Sequence, residues 1–333
     1  MTEHRTLGRG GIDVSALGFG CWAIGGPFWG GDQPFGWGHV DDDESIRAVR
    51  TAVDLGVTFF DTASNYGAGH SERVLGKAFS GRRDQVVIAS KFGYTFDEPT
   101  RQAGGPDSSV AYLRSCVEGS LTRLGTDYVD IYQLHLGDLP IDEALGLIGP
   151  LEDLVRAGKI RAYGWSTDDP DRAAAFADAA GVNCVSIQFD ESVLNDNPEM
   201  VRVCEDRNLG GVIRGPLAMG LLSGKYQDGL AVGADDVRGR APEWLRYFTD
   251  GVATPEWKAR VDAVRDVLTS GGRTMSQGAL GWLWARSPRL VPIPGTRTVA
   301  QAVENAGALS FGPLPAAEFA QVQALLRGDA ALS

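Results

Sequence analysis

The stretch YVDIYQLHLGDLPIDEALGLIGPLEDLVRAGKIRAYGWS, residues 128–166, decides the fold. Two apolar runs of strand length, YVDIYQLH (128–135) and KIRAYGWS (159–166), flank IDEALGLIGPLEDLVRAG (141–158), an amphipathic run of helix length that closes on Gly158. Two strands joined through a helix in this way lie parallel, with a right-handed crossover. One β-α-β unit is therefore legible here.

The same alternation extends in both directions. SALGFGCW (15–22), GVTFFD (56–61), QVVIASK (85–91), CVSIQF (184–189), GVIR (211–214) and RLVPIPG (289–295) complete a set of eight strand candidates. Helix candidates between them include DDDESIRAVRTAVDL (41–55), SSVAYLRSCVEGSLTRL (108–124) and DPDRAAAFADAA (169–180), with Asp or Ser placed to cap the N-termini. Eight β-α units imply an α/β fold closed as a (β/α)8 TIM barrel. TLGRGGIDVS (6–15) is expected to form an N-terminal β-hairpin before the first barrel strand. The expected domain is a single one over residues 1–333, because barrels of this length commonly fold as one. Two long excursions, Gly25 to Val40 and Gly215 to Glu256, leave from strand C-terminal ends, where the loops of such a barrel carry function.

Composition narrows the partners. Hydrophobic residues make up 43% and charged residues 22%, enough to bury a large core, and the net charge is -12. With no basic run, nucleic acid and anionic membrane surfaces are poor partners. No signal-peptide core opens the chain and no segment approaches a membrane span, so a cytoplasmic location is expected. The four cysteines, Cys21, Cys116, Cys184 and Cys204, form no CxxC and read as buried reduced thiols.

The strand ends are unusually polar. Asp61, Lys91 and His135 end the second, third and fourth strands, and Ser166, Gln188 and Arg214 follow at or near the ends of the next three. The eighth runs into Gly295, Thr296 and Arg297. Alone, Asp61 also reads as a turn residue, Lys91 as a surface lysine and His135 as a core histidine. At equivalent ends of neighbouring strands they describe a site, with Tyr66 on the loop just above. An Asp beside a Lys is a pair that a rim of low dielectric tolerates. A nearby ammonium is expected to pull the tyrosine pKa below its usual value of about 10 and help it to protonate a developing alkoxide. Trp22, Trp29 and Trp37, with Phe28 and Phe35, lie at or after the first strand among glycines, and read either as walls of an apolar substrate pocket or as a cap on the barrel. His39 and Asp41 to Asp43 read as the start of a helix, and no metal is required.

These residues resemble the aldo-keto reductase superfamily. GVTFFDTASNYGAGHSERVLGKA (56–78) resembles its aspartate and tyrosine signature, SK (90–91) its lysine strand and DYVDIYQLH (127–135) its histidine strand. GWST (164–167), Gln188, GPLAMGLLSGKY (215–226) and PIPGTRTVAQAVEN (292–305) resemble its nicotinamide-cofactor segments, and the likeness runs from about residue 5 to 310 in order. The resemblance implies an NADPH-dependent reduction of an aldehyde or ketone, a small-molecule substrate, to its alcohol, with the reverse oxidation open. It implies that Tyr66 is the general acid, that Lys91 lowers its pKa, that Asp61 holds Lys91 and that His135 orients the carbonyl. By the same likeness Ser166 and Gln188 take the nicotinamide carboxamide and Arg214 lies where an aromatic ring is common beneath the nicotinamide. Leu217, Gly220, Leu222, Gly224 and Lys225 cover the pyrophosphate. Gly295 belongs to the adjoining cofactor segment, Thr296 and Arg297 receive the 2′-phosphate, and Gln301, Glu304 and Asn305 surround the adenine. Thr167 and Ser192 also depart from the common pattern, both standing where Asn is frequent.

Three other readings compete. GFGCWA (18–23) formally fits a Rossmann fingerprint, but Gly25, Gly26 and Pro27 follow where a helix would have to open. A barrel aldolase would use Lys91 as a Schiff base. A cofactor-binding regulatory subunit of the same fold would not need the four catalytic residue types that this chain retains.

Overall fold

The computed structural model describes residues 3–226, 229–240 and 242–327. Both ends of the expected 1–333 span, and residues 227, 228 and 241 of the second excursion, lie outside the described residues. Eight parallel strands form the sheet, in chain order: Gly18–Gly20, Phe59–Asp61, Val87–Phe92, Val129–Leu134, Ile160–Ser166, Cys184–Asp190, Gly210–Arg214 and Leu290–Pro292. Each pairs with the next, and these are the first to eighth barrel strands below. The first and last meet through a parallel bridge between Gly20 and Gly295, with Gly20 N–H donating to Pro294 O at 3.0 Å and Thr296 N–H to Gly20 O at 3.2 Å. A Cβ on Gly20 would stand 2.5 Å from the Ile293 carbonyl oxygen, so the seam closes only because that residue is glycine. The expected TIM barrel is observed, nearly closed.

Helices cover the outside. Asp41, Ser109 and Asp169 cap Asp42–Asp54, Val110–Leu124 and Pro170–Ala179 by accepting from backbone N–H groups of the first turn. The run 141–158, read as one helix, is two: Ile141–Gly146 and Ile148–Arg156, separated at Leu147. Pro150 is the cause, since its ring lacks an N–H and collides with the carbonyl four residues earlier. Helices Pro255–Leu268 and Ala316–Arg327 pack against each other as an addition to the barrel. None of the helices among the described residues is long and apolar enough to cross a membrane.

The hairpin forms as expected, from His4–Leu7 and Ile12–Ser15. Leu7 and Val14 join Phe59, Ala89, Ile131, Ala162, Val185, Val212, Val291 and Ile293 in one cluster that fills the barrel interior. The hairpin is thus the plug of the N-terminal end. A larger apolar layer lies between strands and helices, and the four cysteines are buried and unpaired.

At the other end the two excursions fold over the rim. Trp29–Gly30 and Gln33–Pro34 build a four-stranded sheet with Tyr94–Asp97 and Gln102–Pro106, a hairpin that the strand search did not find. The excursions are joined by an antiparallel bridge of Trp37 with Asp236, by Val237 N–H to Gly36 O at 2.8 Å, and by Arg240 Nη1 to Asp32 O at 2.9 Å.

Replacing Leu7 by Ala removes the plug's largest apolar group from a fully buried position. Urea unfolding should register a loss of about 2–5 kcal/mol, and an unchanged midpoint would show that the hairpin does not support the barrel interior.

Candidate active site

Side chains on a strand alternate between faces, so a residue two positions beyond an inward one also points inward. Two positions beyond the apolar interior residues Phe59, Ala89, Ile131 and Val212 stand Asp61, Lys91, Gln133 and Arg214. The dry core therefore ends in a polar layer at the C-terminal mouth. Asp61 is 2% exposed and Lys91 fully buried.

Lys91 Nζ donates to Asp61 Oδ1 at 2.6 Å, to the Thr62 carbonyl at 2.8 Å and to Tyr66 Oη at 3.2 Å. Gln188 Nε2 and Gln133 Nε2 donate to Asp61 Oδ2 at 2.7 and 3.2 Å. Taking two charges out of water costs several kcal/mol each, and only close pairing with further hydrogen bonds offsets that. Removing one partner would strand the other, at about 3–5 kcal/mol. Tyr66 is held over the pair by its turn. Gly67 adopts φ +61°, and a Cβ there would stand 1.9 Å from the Gly25 carbonyl oxygen, so the first excursion presses directly on the tyrosine's loop.

Burial works against the Lys91 ammonium, but Asp61 and Tyr66 outweigh it and hold the pKa above the ordinary lysine value. For Tyr66 the outcome corrects the expectation from sequence. Burial raises the phenol's pKa more than Lys91, with Arg214, lowers it, and Asp61 adds to the rise. Tyr66 is thus a phenol at neutral pH, kept from rising further by the lysine. The pKa of His135 falls well below 6.5, through burial first and then Lys91 and Arg214, so its ring is neutral. It faces Tyr66 edge-on at 5.8 Å between ring centroids.

A cavity of about 1290 Å3 opens above these groups. Its walls include Asp61, Tyr66, His135, Ser166, Gln188 and Arg214, and they continue through Leu217, Gly220 and Lys225 to Gly295, Arg297, Gln301, Glu304 and Asn305. Leu222 and Gly224 lie behind the wall, Leu222 fully buried and Gly224 ending the Ala218–Ser223 turn in a left-handed conformation. Thr296 is 1% exposed and turns inward. Its hydroxyl donates to Pro294 O and accepts from Asn305 Nδ2, both at 3.0 Å. Arg214 is paired with Asp168, both on the cavity wall and partly open to solvent, and Thr167 Oγ1 donates to Gly137 O at 2.7 Å. Asp41 caps its helix, and Asp42 Oδ1 pairs with His70 Nε2 at 2.7 Å; among the described residues no group of three potential metal ligands is found.

Of the expected pocket tryptophans, Trp22 stacks on Tyr66 at 6.0 Å and Trp37 meets Trp22 edge-on at 5.3 Å. Trp29 belongs to the rim sheet, and Phe28 and Phe35 supply the wall beside it. The sequence reading missed four residues. Tyr94, edge-on to His135 at 5.4 Å, is on the unrecognised hairpin, whose alternation YTFD was a usable signal. Trp244, 58% exposed, lies 6.4 Å from Trp22 at the mouth. Gln133 was legible as an inward residue of the fourth strand, two positions before His135. Arg238 had no sequence signal, being positioned by a loop.

Arg238 is 4% exposed, clamped by both carboxylate oxygens of Asp236 and by Tyr226 Oη at 2.5 Å, and it donates to Met219 O at 3.1 Å. That last bond holds Met219 at φ 56°, a left-handed conformation that costs a residue with a Cβ about 1 kcal/mol or more. Lys225 and Arg297 line the same end of the cavity. Burial first, then Arg238 and Arg297, depress the Lys225 pKa. Three cations gathered on one wall of a chain of net charge -12 suit a ligand carrying several phosphates.

The comparisons with known proteins agree with this geometry. The sequence profile of the aldo/keto reductase family matches residues 16–327. An aldo-keto reductase named yakc [NADP(+)] from Schizosaccharomyces pombe is 31% identical over 90% of this chain and 85% of its own length. The holo form of an aldo-keto reductase from Bacillus halodurans superposes with a TM-score of 0.77 at 28% identity, over 98% of this chain and 96% of that one. An aldo/keto reductase from Klebsiella pneumoniae in complex with NADP and acetate gives a TM-score of 0.69 at 26% identity, over 98% and 96%. The profile spans nearly the whole chain, and this protein belongs to the aldo/keto reductase family.

Proposed function

We propose that this chain reduces an aldehyde or ketone to the alcohol with NADPH, by a reversible hydride transfer in which Tyr66 delivers the proton. The reading rests on one observation above all, the fully buried Lys91 bridging Asp61 and Tyr66 at 2.6 and 3.2 Å beneath a neutral His135. When bound, the reduced nicotinamide supplies the hydride. Tyr66, protonated at neutral pH, gives its hydrogen to the carbonyl oxygen as negative charge develops there, and the Lys91 ammonium stabilises the phenolate left behind. His135, neutral, donates a ring N–H to the same oxygen and so fixes the carbonyl's orientation. Asp61 keeps Lys91 charged throughout.

Residues suited to the cofactor continue along the wall. Gln188 and Ser166 would hold the carboxamide. Lys225 and Arg238, beside the backbone of Leu217–Gly224, would bind the pyrophosphate, Arg297 would bind the 2′-phosphate, and Gln301, Glu304 and Asn305 would hold the adenine. Because Thr296 already spends its hydroxyl on Pro294 and Asn305, its part is to hold Asn305 in place. The aromatic rings around Tyr66 suit an apolar carbonyl substrate, with Trp22, Trp37 and Trp244 as its walls. We read residues 1–333 as one domain, since strands from both ends close on each other at Gly20 and Gly295.

The aldolase reading is disfavoured by the state of Lys91. A Schiff-base lysine must be a free amine, whereas Asp61 and Tyr66 hold this one as an ammonium with no exposed surface. The regulatory-subunit reading is disfavoured by the intact chain of contacts from Asp61 to Tyr66.

Tyr66→Phe should lower NADPH-dependent carbonyl reduction by about 100-fold or more, with NADPH binding, followed by fluorescence quenching, nearly unchanged. Turnover equal to wild type would remove Tyr66 from its assigned role. In a second experiment, Arg297→Ala should weaken NADPH binding by roughly tenfold or more while leaving NADH little affected. Equal losses for both nucleotides would refute a contact with the 2′-phosphate.

A further inference from the structure

Gln133 stands in the fourth barrel strand, fully buried, and its carbonyl oxygen Oε1 has no hydrogen-bond partner. An orphaned buried carbonyl is destabilising, and an apolar side chain of the same shape would avoid it. What glutamine supplies and methionine would not is its Nε2–H, 3.2 Å from Asp61 Oδ2. Gln188 donates to the same oxygen at 2.7 Å. Two amides thus converge on Oδ2 and leave Oδ1 to Lys91 at 2.6 Å.

We infer that Gln133 is a positioning residue for proton delivery: by donating to Asp61 it keeps the carboxylate aimed at Lys91 and takes up part of its negative charge, so that the ammonium charge facing Tyr66 is offset less. This deepens the proposed function and rests on Tyr66 being the acid. Without the Gln133 donor, the negative charge of Asp61 is left less compensated, and that charge opposes the phenolate more strongly. The groups facing Tyr66 are Asp61 and Lys91 from the second and third strands, His135 after the fourth and Arg214 from the seventh. Cys21, after the first strand, faces Asp61 and Lys91. None of these changes identity when Gln133 is replaced, so a shift in the Tyr66 titration reports on Asp61 and Lys91.

The sign follows directly. Losing the donor raises the Tyr66 pKa, so alcohol oxidation, which needs the phenolate as base, should gain its activity at higher pH. Gln133→Met should move that limb up by roughly one pH unit and lower the oxidation kcat near neutral pH by about tenfold, with the urea midpoint equal to or above wild type. A readout without cofactor or substrate is the 13Cζ resonance of Tyr66 in tyrosine-labelled protein, assigned by its disappearance in Tyr66→Phe, whose inflection should rise in parallel. If Gln133→Met folds poorly, Gln133→Asn, which keeps an amide but is too short to reach Asp61, provides the same comparison. An unshifted Tyr66 inflection together with a wild-type pH profile would overturn the inference. Full activity in Tyr66→Phe would instead overturn the functional reading on which it rests, so the two failures are distinguishable.

Discussion

The rest of the site depends on keeping one ammonium charged in a place without water. Lys91 has no exposed surface, and a lone lysine there would shed its proton. Asp61 prevents that at 2.6 Å, and the Thr62 carbonyl and Tyr66 hydroxyl take the remaining hydrogens. Every ammonium hydrogen has an acceptor. Because the pair is fixed from below by the barrel interior, the tyrosine above it inherits a fixed electrostatic environment rather than one that solvent rearranges.

The electrostatics of the two cavity ends are opposite in kind. At the tyrosine end a single buried cation is balanced and surrounded by aromatic faces. Near Lys225, Arg238 and Arg297 cations outnumber the Asp236 and Glu304 carboxylates that offset them, and the Lys225 pKa is depressed by burial first and then by the two guanidiniums. Phosphate charge of the proposed nucleotide would relieve that crowding and so would link its binding to the stability of this end. Arg238 is the most committed of the three, since Asp236 and Tyr226 fix its fork before any ligand is present.

Much of this was legible because a barrel makes sequence position and spatial position nearly equivalent. The ends of eight apolar runs located the mouth, and Asp61, Lys91 and His135 fell at equivalent ends of adjacent strands. Reading only the last residue of each strand hid Gln133, which lies one inward position deeper. Tyr94, Trp244 and Arg238 were hidden for another reason, since loops position them through tertiary contacts that no periodicity encodes. The direction of the Tyr66 pKa was misread because a charge neighbour is visible in sequence and the depth of burial is not. The break at Leu147 was legible in principle, as Pro150 stands within the run.

The Gly20–Gly295 seam carries a consequence for how the site comes into being. The groups around Lys91 come from the second to fourth strands and the turns after them, and Lys225, Arg238 and Arg297 come from after the seventh and eighth. They share one cavity only because residues near opposite ends of the chain are stitched together by two backbone hydrogen bonds. Loop-closure entropy opposes such a long-range contact until the intervening strands have already brought its partners near. The two halves of the cavity therefore join only when the chain is nearly complete, and a nascent chain still lacking its last strand has no joined cavity to occupy.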